Sequence, residues 1–149
     1  MEATQLTQES WASGFIVSGF PFPPCNAHLG ARFEGHDADL GVLRLSFLTK
    51  AEYANPAGTI QGGIVGAMLD EAMGPLVVAA TSGAKVPVST DLHMTFFKGV
   101  PIGPPCHVEA RIDMLGGSVV FTSAVMRTEA NDAVLVKATH TARLVEPRR

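Results

Sequence analysis

An acidic pair, Asp70 and Glu71, lies inside the most apolar stretch of the sequence, which runs from Ile64 to Ala80. A helix turns by about 100° per residue, so a helix here places three glycines within about 40° of Asp70: Gly63, Gly66 and Gly74. Glycine in a helix interior costs about 0.5–1 kcal/mol relative to alanine, which indicates that another backbone or a ligand approaches this face. A carboxylate there can be a base or nucleophile, or a structural hydrogen-bond acceptor, and the pattern alone favours neither.

The loop before this helix, residues 55–63, reads Asn-Pro-Ala-Gly-Thr-Ile-Gln-Gly-Gly. A helix N-terminus offers backbone N–H groups without partners inside the helix, together with the positive end of the helix dipole. Glycines let a ligand atom approach these groups closely, so the loop is a candidate oxyanion hole. No Gly-Lys-Ser/Thr follows the glycines and no strand leads into them, which disfavours nucleotide hydrolysis and dinucleotide redox chemistry.

The histidines give no recognisable metal-binding or nucleophilic motif. The five of them are scattered along the chain: His28, His36, His93, His107 and His140. His36 stands near Asp37 and Asp39, and His107 shares a strand face with Glu109, but neither set has a third ligand at a recognised spacing. We therefore predict no metal site and interpret these histidines as surface or hydrogen-bonded residues. A serine-hydrolase triad is also disfavoured, because no Gly-x-Ser-x-Gly occurs.

Composition bounds the class of protein. A chain of 149 residues is expected to form one domain with a sizeable core. The net charge of −3 and dispersed basic residues argue against nucleic-acid binding. The two cysteines form no CxxC pattern and the N-terminus does not resemble a signal peptide, so we expect a cytoplasmic protein. The apolar helix is interrupted by Asp70, Glu71 and Pro75, so we expect no membrane span.

Periodicity predicts two strands, one long helix and then four antiparallel strands, an α+β arrangement in which the sheet wraps the helix. We expect a helical N-terminal segment in residues 1–20, around Thr7 to Ile16, and a single domain over residues 21–149. The predicted strands are Leu29–Phe33, Leu40–Leu48, Val88–Phe97, Cys106–Leu115, Val119–Thr128 and Ala133–Val145, with hairpin turns at Gly116-Gly117 and Asn131-Asp132. Strict alternation places Ser89 on a polar face, opposite Leu92 and Met94.

Several of these motifs together resemble the hotdog-fold acyl-CoA thioesterases of the phenylacetic-acid-degradation (PaaI-like) branch. The matching residues are Asn55, Gly58, Gly62-Gly63, Leu69-Asp70 and the strand Val88-Ser89-Thr90-Asp91-Leu92. The resemblance covers roughly Pro21 to Val145, and it is specific because separate elements match in order and spacing. It implies a hotdog fold, in which an antiparallel sheet wraps one central helix.

The resemblance also implies roles for individual residues. Asp70 would attack the thioester carbonyl or activate a water, the Gly62 N–H would stabilise the oxyanion, Asn55 would orient the carbonyl or nucleophile, and Ser89 would help to place the water. Further substrate contacts would come from Gly63, Glu71, Gly74, Thr90, Lys98, Gly116 and Gly117. Arg111 is, like Lys98, a candidate for the coenzyme A phosphates by position alone.

One residue departs from the family pattern, because Gln61 stands where histidine usually precedes the two glycines. Glutamine can donate a hydrogen bond but cannot titrate near neutral pH. The expected function is hydrolysis of an acyl-CoA to a carboxylic acid and free coenzyme A by a homodimer or homotetramer, with no cofactor beyond the coenzyme A of the substrate. The alternative is a non-catalytic acyl-CoA binding or sensing protein on the same fold, and a hydratase ranks last.

Overall fold

The computed structural model describes residues 4–5, 23–129 and 131–148 of the chain. Within these ranges the α-helices are α1 (Pro24–Leu29) and α2 (Gly62–Ala80), and a 3-10 turn spans Ala51–Tyr53. The strands are β1 (Thr4–Gln5), β2 (Arg32–Asp37), β3 (Val42–Phe47), β4 (Val86–Phe96), β5 (Cys106–Leu115), β6 (Val119–Thr128) and β7 (Asn131–Val145). The predicted α+β architecture is confirmed. The predicted helix around Thr7 to Ile16 lies outside the described residues.

Helix α2 is the centre of the hydrophobic core. Its apolar side chains repeat at helical spacing, and Met68, Leu69, Ala72, Met73 and Leu76 are all fully buried. By length and composition alone α2 could cross a membrane. Strands β3, β4, β5 and β6 instead pack against it, and its apolar face belongs to the core cluster that these strands complete.

All strands form one antiparallel sheet in the order β1-β2-β3-β5-β6-β7-β4. Strand β4 therefore lies at an edge and pairs within the described chain only with β7. Its eleven residues include the exposed apolar side chains Val88 and Phe96, which are 51% and 47% accessible. A long edge strand with exposed apolar side chains is a template for pairing with another chain.

The structure corrects the first predicted strand. Leu29, where that strand was predicted to begin, is instead the last residue of α1, and Gly30 caps this helix in the left-handed conformation, with φ 63°. The proline cluster reads as a turn in the sequence, but proline at the first helical position loses no hydrogen bond and has a helical φ. The β5–β6 turn at Gly116-Gly117 is confirmed, whereas the β6–β7 connection falls between Thr128 and Asn131 rather than at Asn131-Asp132.

A β-bulge in β4 changes which face Ser89 occupies. Ser89 pairs with Ala142 and Asp91 with Thr141, so Thr90 is an extra residue in the ladder. The alternation shifts by one residue there, and Ser89 shares the inner face of the sheet with Leu92 and Met94. The prediction that Ser89 faces away from these residues was therefore wrong.

Candidate active site

One row of α2 residues lies against β4 along the length of the helix. Gly62, Gly66, Asp70 and Gly74 are four residues apart and so share one face. A Cβ built on Gly62 would lie 3.4 Å from Phe96 Cζ, and one built on Gly66 would lie 3.0 Å from Met94 Cε. The close approach predicted from the glycines is thus made by side chains of this chain's own β4. Gly63 lies outside this row, beside the side chain of Gln61.

The N-terminus of α2 presents free backbone donors. Within the described part of the chain, neither the Gly62 nor the Gly63 N–H donates a hydrogen bond to protein. Gln61 caps the helix, because its Oε1 accepts from the Ile64 N–H at 3.1 Å. The glutamine that replaces the family's histidine therefore uses one lone pair of Oε1 on the helix end, and its amide N–H groups remain for a ligand.

Asn55 is held beside these donors by its own loop. Its Oδ1 accepts from the N–H groups of Ala57 and Thr59 at 3.0 and 3.1 Å, and its Nδ2 donates to Thr59 Oγ1 at 2.9 Å. One Nδ2 hydrogen is left free, because an amide nitrogen carries two. Asn55 and Gly62 line an open cleft of about 360 Å³ together with Phe96, Phe97, Lys98 and neighbouring backbone.

Asp70 belongs to a hydrogen-bonded network that crosses the inner face of the sheet. Ser89 Oγ lies 3.1 Å from Asp70 Oδ1 and 2.8 Å from His140 Nε2. The other ring nitrogen of His140 lies 2.9 Å from Thr122 Oγ1. The direct separation of His140 Nε2 and Asp70 Oδ1 is 3.6 Å, which is too long for a hydrogen bond. We call Asp70, Ser89, His140 and Thr122 the inner network.

Exposure differs sharply along this network. The Asp70 side chain is 45% accessible, whereas that of His140 is fully enclosed. Burial lowers the pKa of His140 and outweighs the opposite effect of the Asp70 and Asp91 charges, which favours the neutral imidazole at neutral pH. The network therefore presents one reachable carboxylate, hydrogen-bonded to the exposed Ser89, with the buried His140 and Thr122 behind that serine.

Glu71 is the neighbour of Asp70 on α2 and a partly buried carboxyl group. Burial, followed by repulsion from the Asp70 charge, raises the pKa of Glu71 to about 7. Burial and then the charges of Glu71 and Asp70 also raise the pKa of the nearby Cys25 thiol. Cys25 and Cys106 are both free. No hydrogen bond of Glu71 is found among the described residues, and it takes no part in the inner network.

The two candidate groups lie apart within one chain. Asp70 follows Gly62 by eight residues, which at 1.5 Å per residue separates them by about 12 Å along the helix axis. Asp70 does not line the cleft that contains Asn55 and Gly62. Within one chain, the oxyanion-type site at Asn55 and Gly62 is therefore separate from the carboxylate of Asp70.

The remaining predicted residues are dispersed. Lys98 lines the cleft as expected. Thr90 occupies the bulge and donates to the Thr141 carbonyl at 3.0 Å. Gly116 and Gly117 form the β5–β6 turn, and Gly74 faces Pro87. Arg111 does not line the cleft, and its Nη2 forms an ion pair with Glu109 Oε1 at 2.6 Å.

Sequence reasoning missed the part that His140 and Thr122 take in the site. Both partners of His140 are distant in sequence, 18 and 51 residues away, so no local motif connects them. The register of the strands would have revealed the contact, since His140 on β7 lies opposite Thr122 on β6 and Leu92 on β4. Among the described residues no group of three or more His, Cys, Asp or Glu is placed to hold a metal ion.

Comparisons with known proteins identify the family and the fold. A family model described as the thioesterase superfamily matches residues 57–134. Human acyl-coenzyme A thioesterase 13 is 25% identical over 104 residues, 70% of this chain and 74% of the human protein. A phenylacetic acid degradation-related protein from Ralstonia eutropha superposes with a TM-score of 0.77 at 25% identity, over 83% of this chain and 92% of that one. A Streptococcus mutans protein with bound acetyl-CoA shares the fold, with a TM-score of 0.67 at 16% identity over 78% and 91% of the two chains.

Proposed function

Because the chain belongs to the thioesterase superfamily, and is therefore a thioester hydrolase of the hotdog fold, we propose that it hydrolyses acyl-CoA thioesters with Asp70 as the catalytic carboxylate. The observation that carries the proposal is the reachable carboxylate of Asp70, hydrogen-bonded to Ser89 on one side and open on the other. The substrate class is supported by the human relative and by the acetyl-CoA bound to the Streptococcus mutans protein.

In the proposed reaction the thioester oxygen accepts hydrogen bonds from the Gly62 N–H and the free Asn55 Nδ2 hydrogen. Asp70 accepts a proton from water as the water oxygen forms a bond to the carbonyl carbon. The tetrahedral intermediate then collapses with cleavage of the C–S bond, the thiolate takes up that proton, and a carboxylic acid and coenzyme A are released. One oxyanion donor contributes about 2.7–4 kcal/mol to such a transition state.

We propose that the complete site forms between two copies of the chain. The attacking atom must lie about 3–3.5 Å from the carbonyl carbon, whose oxygen lies about 3 Å from its donors. Asp70 and Gly62 of one helix are too far apart to meet both requirements. Antiparallel pairing of two β4 edges would reverse the second helix and carry one copy's Asp70 toward the other copy's glycine end.

Lys98 is the candidate contact for a coenzyme A phosphate. It lines the mouth of the cleft, and an exposed ammonium is a suitable partner for phosphate oxygen. Gln61 retains amide donors near the carbonyl, which supports a positioning role without proton transfer. The mechanism uses side chains and backbone groups of the chain together with water, and coenzyme A enters only as part of the substrate.

The activity is tested by a panel of short, long and aromatic acyl-CoAs with detection of free thiol. We expect turnover on at least one substrate. Binding of acyl-CoA without release of thiol would contradict the proposal and favour the non-catalytic alternative. Gln61→His is then informative, because histidine would restore the family's usual residue at the helix end.

The shared site is tested by mixing two inactive variants. Asp70→Asn and Asn55→Ala damage different halves of the site, so a mixed dimer contains one intact site if the halves come from different copies. We expect random mixing after unfolding and refolding to restore about one quarter of wild-type activity. Activity that stays at the level of the separate variants would show that each chain uses its own residues.

A further inference from the structure

Two buried polar side chains lie behind the groups that would touch the substrate. Thr122 on β6 and His140 on β7 are 1% and 2% accessible, so neither is a surface residue. Both ring nitrogens of His140 are within 2.9 Å of a hydroxyl oxygen. A fully paired imidazole joined to a reactive carboxylate through one serine is a supporting structure that could control that serine.

The proton positions in the inner network follow from which groups can only accept. Asp70, as a carboxylate, can only accept, so Ser89 donates its single proton to Asp70 Oδ1. Ser89 Oγ must then accept from His140, which places the imidazole proton on Nε2. A neutral ring with its proton on Nε2, the form that burial favours, has a bare Nδ1, which then accepts from the Thr122 hydroxyl 2.9 Å away. All three hydrogen bonds therefore run in one direction, from Thr122 to Asp70.

We propose that Thr122 and His140 are positioning residues that fix the direction of the Ser89 hydroxyl, an inference that rests on the proposed function of Asp70. With its own proton committed to Asp70, Ser89 can only accept a hydrogen bond from the attacking water. The water then donates to Ser89 and to the second oxygen of Asp70, and its lone pair is free to attack. If the Ser89 hydroxyl instead donated to the water, it would occupy one of the two lone pairs of the water oxygen and weaken it as a nucleophile.

The proton order is tested without any substrate by nitrogen NMR of the wild-type protein at neutral pH. The two neutral tautomers of histidine and the imidazolium give distinct nitrogen signals, so the state of His140 can be assigned directly. We expect a neutral ring protonated on Nε2. A ring protonated on Nδ1, or on both nitrogens, would overturn the proposal, because Ser89 would then be free of the assigned direction or Thr122 could not donate.

The positioning role is tested by Thr122→Val, which removes the hydroxyl and keeps the shape of the side chain. We expect kcat to fall about tenfold with KM unchanged, since one hydrogen bond in the support is lost and no substrate contact is altered. Thr122→Ser should restore kcat. Thr128→Val is the matched control, because Thr128 is a buried threonine on the same strand outside the inner network.

The outcomes separate this inference from the proposed function. Unchanged kcat in Thr122→Val, or a loss matched by Thr128→Val, would overturn the positioning role even if Asp70→Asn is inactive. A change in KM alone would also overturn it. If the wild type hydrolyses no acyl-CoA while His140 carries its proton on Nε2, the proposed function fails and the proton order of the network is retained.

Discussion

Two clusters in the described part of the chain combine histidine with carboxylates, one on each face of the sheet. The inner network holds His140 between two hydroxyls, fully enclosed, with the Asp70 carboxylate 3.6 Å away. On the outer face, His107 Nδ1 lies 2.6 Å from Glu34 and its Nε2 lies 3.4 Å from Glu129. We call Glu34, His107 and Glu129 the outer cluster.

The difference lies in what surrounds the charged group. In the outer cluster all three side chains are partly exposed, with His107 27% and Glu129 63% accessible, so water reaches the two carboxylates, although the Nε2 atom of His107 is itself buried without a hydrogen-bond partner. Glu109, two residues from His107 on the same strand, is held by Arg44 and Arg111 instead. In the inner network Asp70 is partly exposed and Ser89 is exposed, and behind them His140 and Thr122 are buried at 2% and 1% accessibility. Burial and proton order, rather than residue type, separate a candidate reactive site from a surface ion pair.

The largest contrast is expected from neutralising one carboxylate in each cluster. Asp70→Asn removes the general base or nucleophile while keeping the shape of the side chain, so kcat should fall by about 10³-fold. Glu129→Gln in the outer cluster should leave kcat within about twofold of wild type. Steady-state kinetics on the best acyl-CoA measures both. Full turnover by Asp70→Asn would show that Asp70 is not catalytic and that the two clusters do not differ in this respect.

The contrast between the clusters could be predicted only in part from the sequence. The apolar run and its glycine loop predicted α2, and the motifs around Asn55, Gly62 and Asp70 identified the PaaI-like family. Those signals are local, and each element carries its own periodicity or spacing.

What the sequence did not reveal depends on distant pairing. The bulge at Thr90 leaves no mark in an alternating pattern, so Ser89 was assigned to the wrong face. His140 acquires its partners only when β4, β6 and β7 are aligned. The role of Gln61 as a helix cap required the side-chain conformation, because glutamine is not a preferred residue at that position.

A second prediction uses pH to compare buried and paired carboxylates. The pKa of Glu71 is about 7 in the folded protein against an ordinary 4.5, so the folded state binds more protons between these values. The contribution of Glu71 to the free energy of unfolding is fully present below pH 4.5 and is lost as pH rises through about 7. Glu71→Gln should therefore have little effect at acid pH and stabilise the protein by about 1–2 kcal/mol in mildly alkaline solution, after allowance for partial exposure.

Glu109 on the outer face supplies the control of opposite sign. Burial alone would raise the pKa of Glu109, but hydrogen bonds from Arg111 and Arg44 outweigh it and lower the pKa. Its stabilisation is present above the ordinary carboxyl pKa and is lost in acid, so Glu109→Gln should destabilise at neutral pH and lose its effect in acid. Urea unfolding across pH measures both variants. Parallel pH dependences for the two variants would contradict the assigned difference in environment.

The smallest effect is expected from Glu34→Gln, which tests whether the outer cluster is only a surface ion pair. The substitution removes a charge beside His107 but keeps a hydrogen-bonding side chain, and both partners are partly exposed. We expect a loss of less than about 1 kcal/mol in the free energy of unfolding, which shrinks further in high salt because exposed charges are screened. Urea unfolding at low and high ionic strength, with kcat measured in parallel, checks this. A salt-insensitive loss of several kcal/mol would mean that the outer cluster behaves as a buried pair, and a loss of kcat would mean that the two faces of the sheet are coupled.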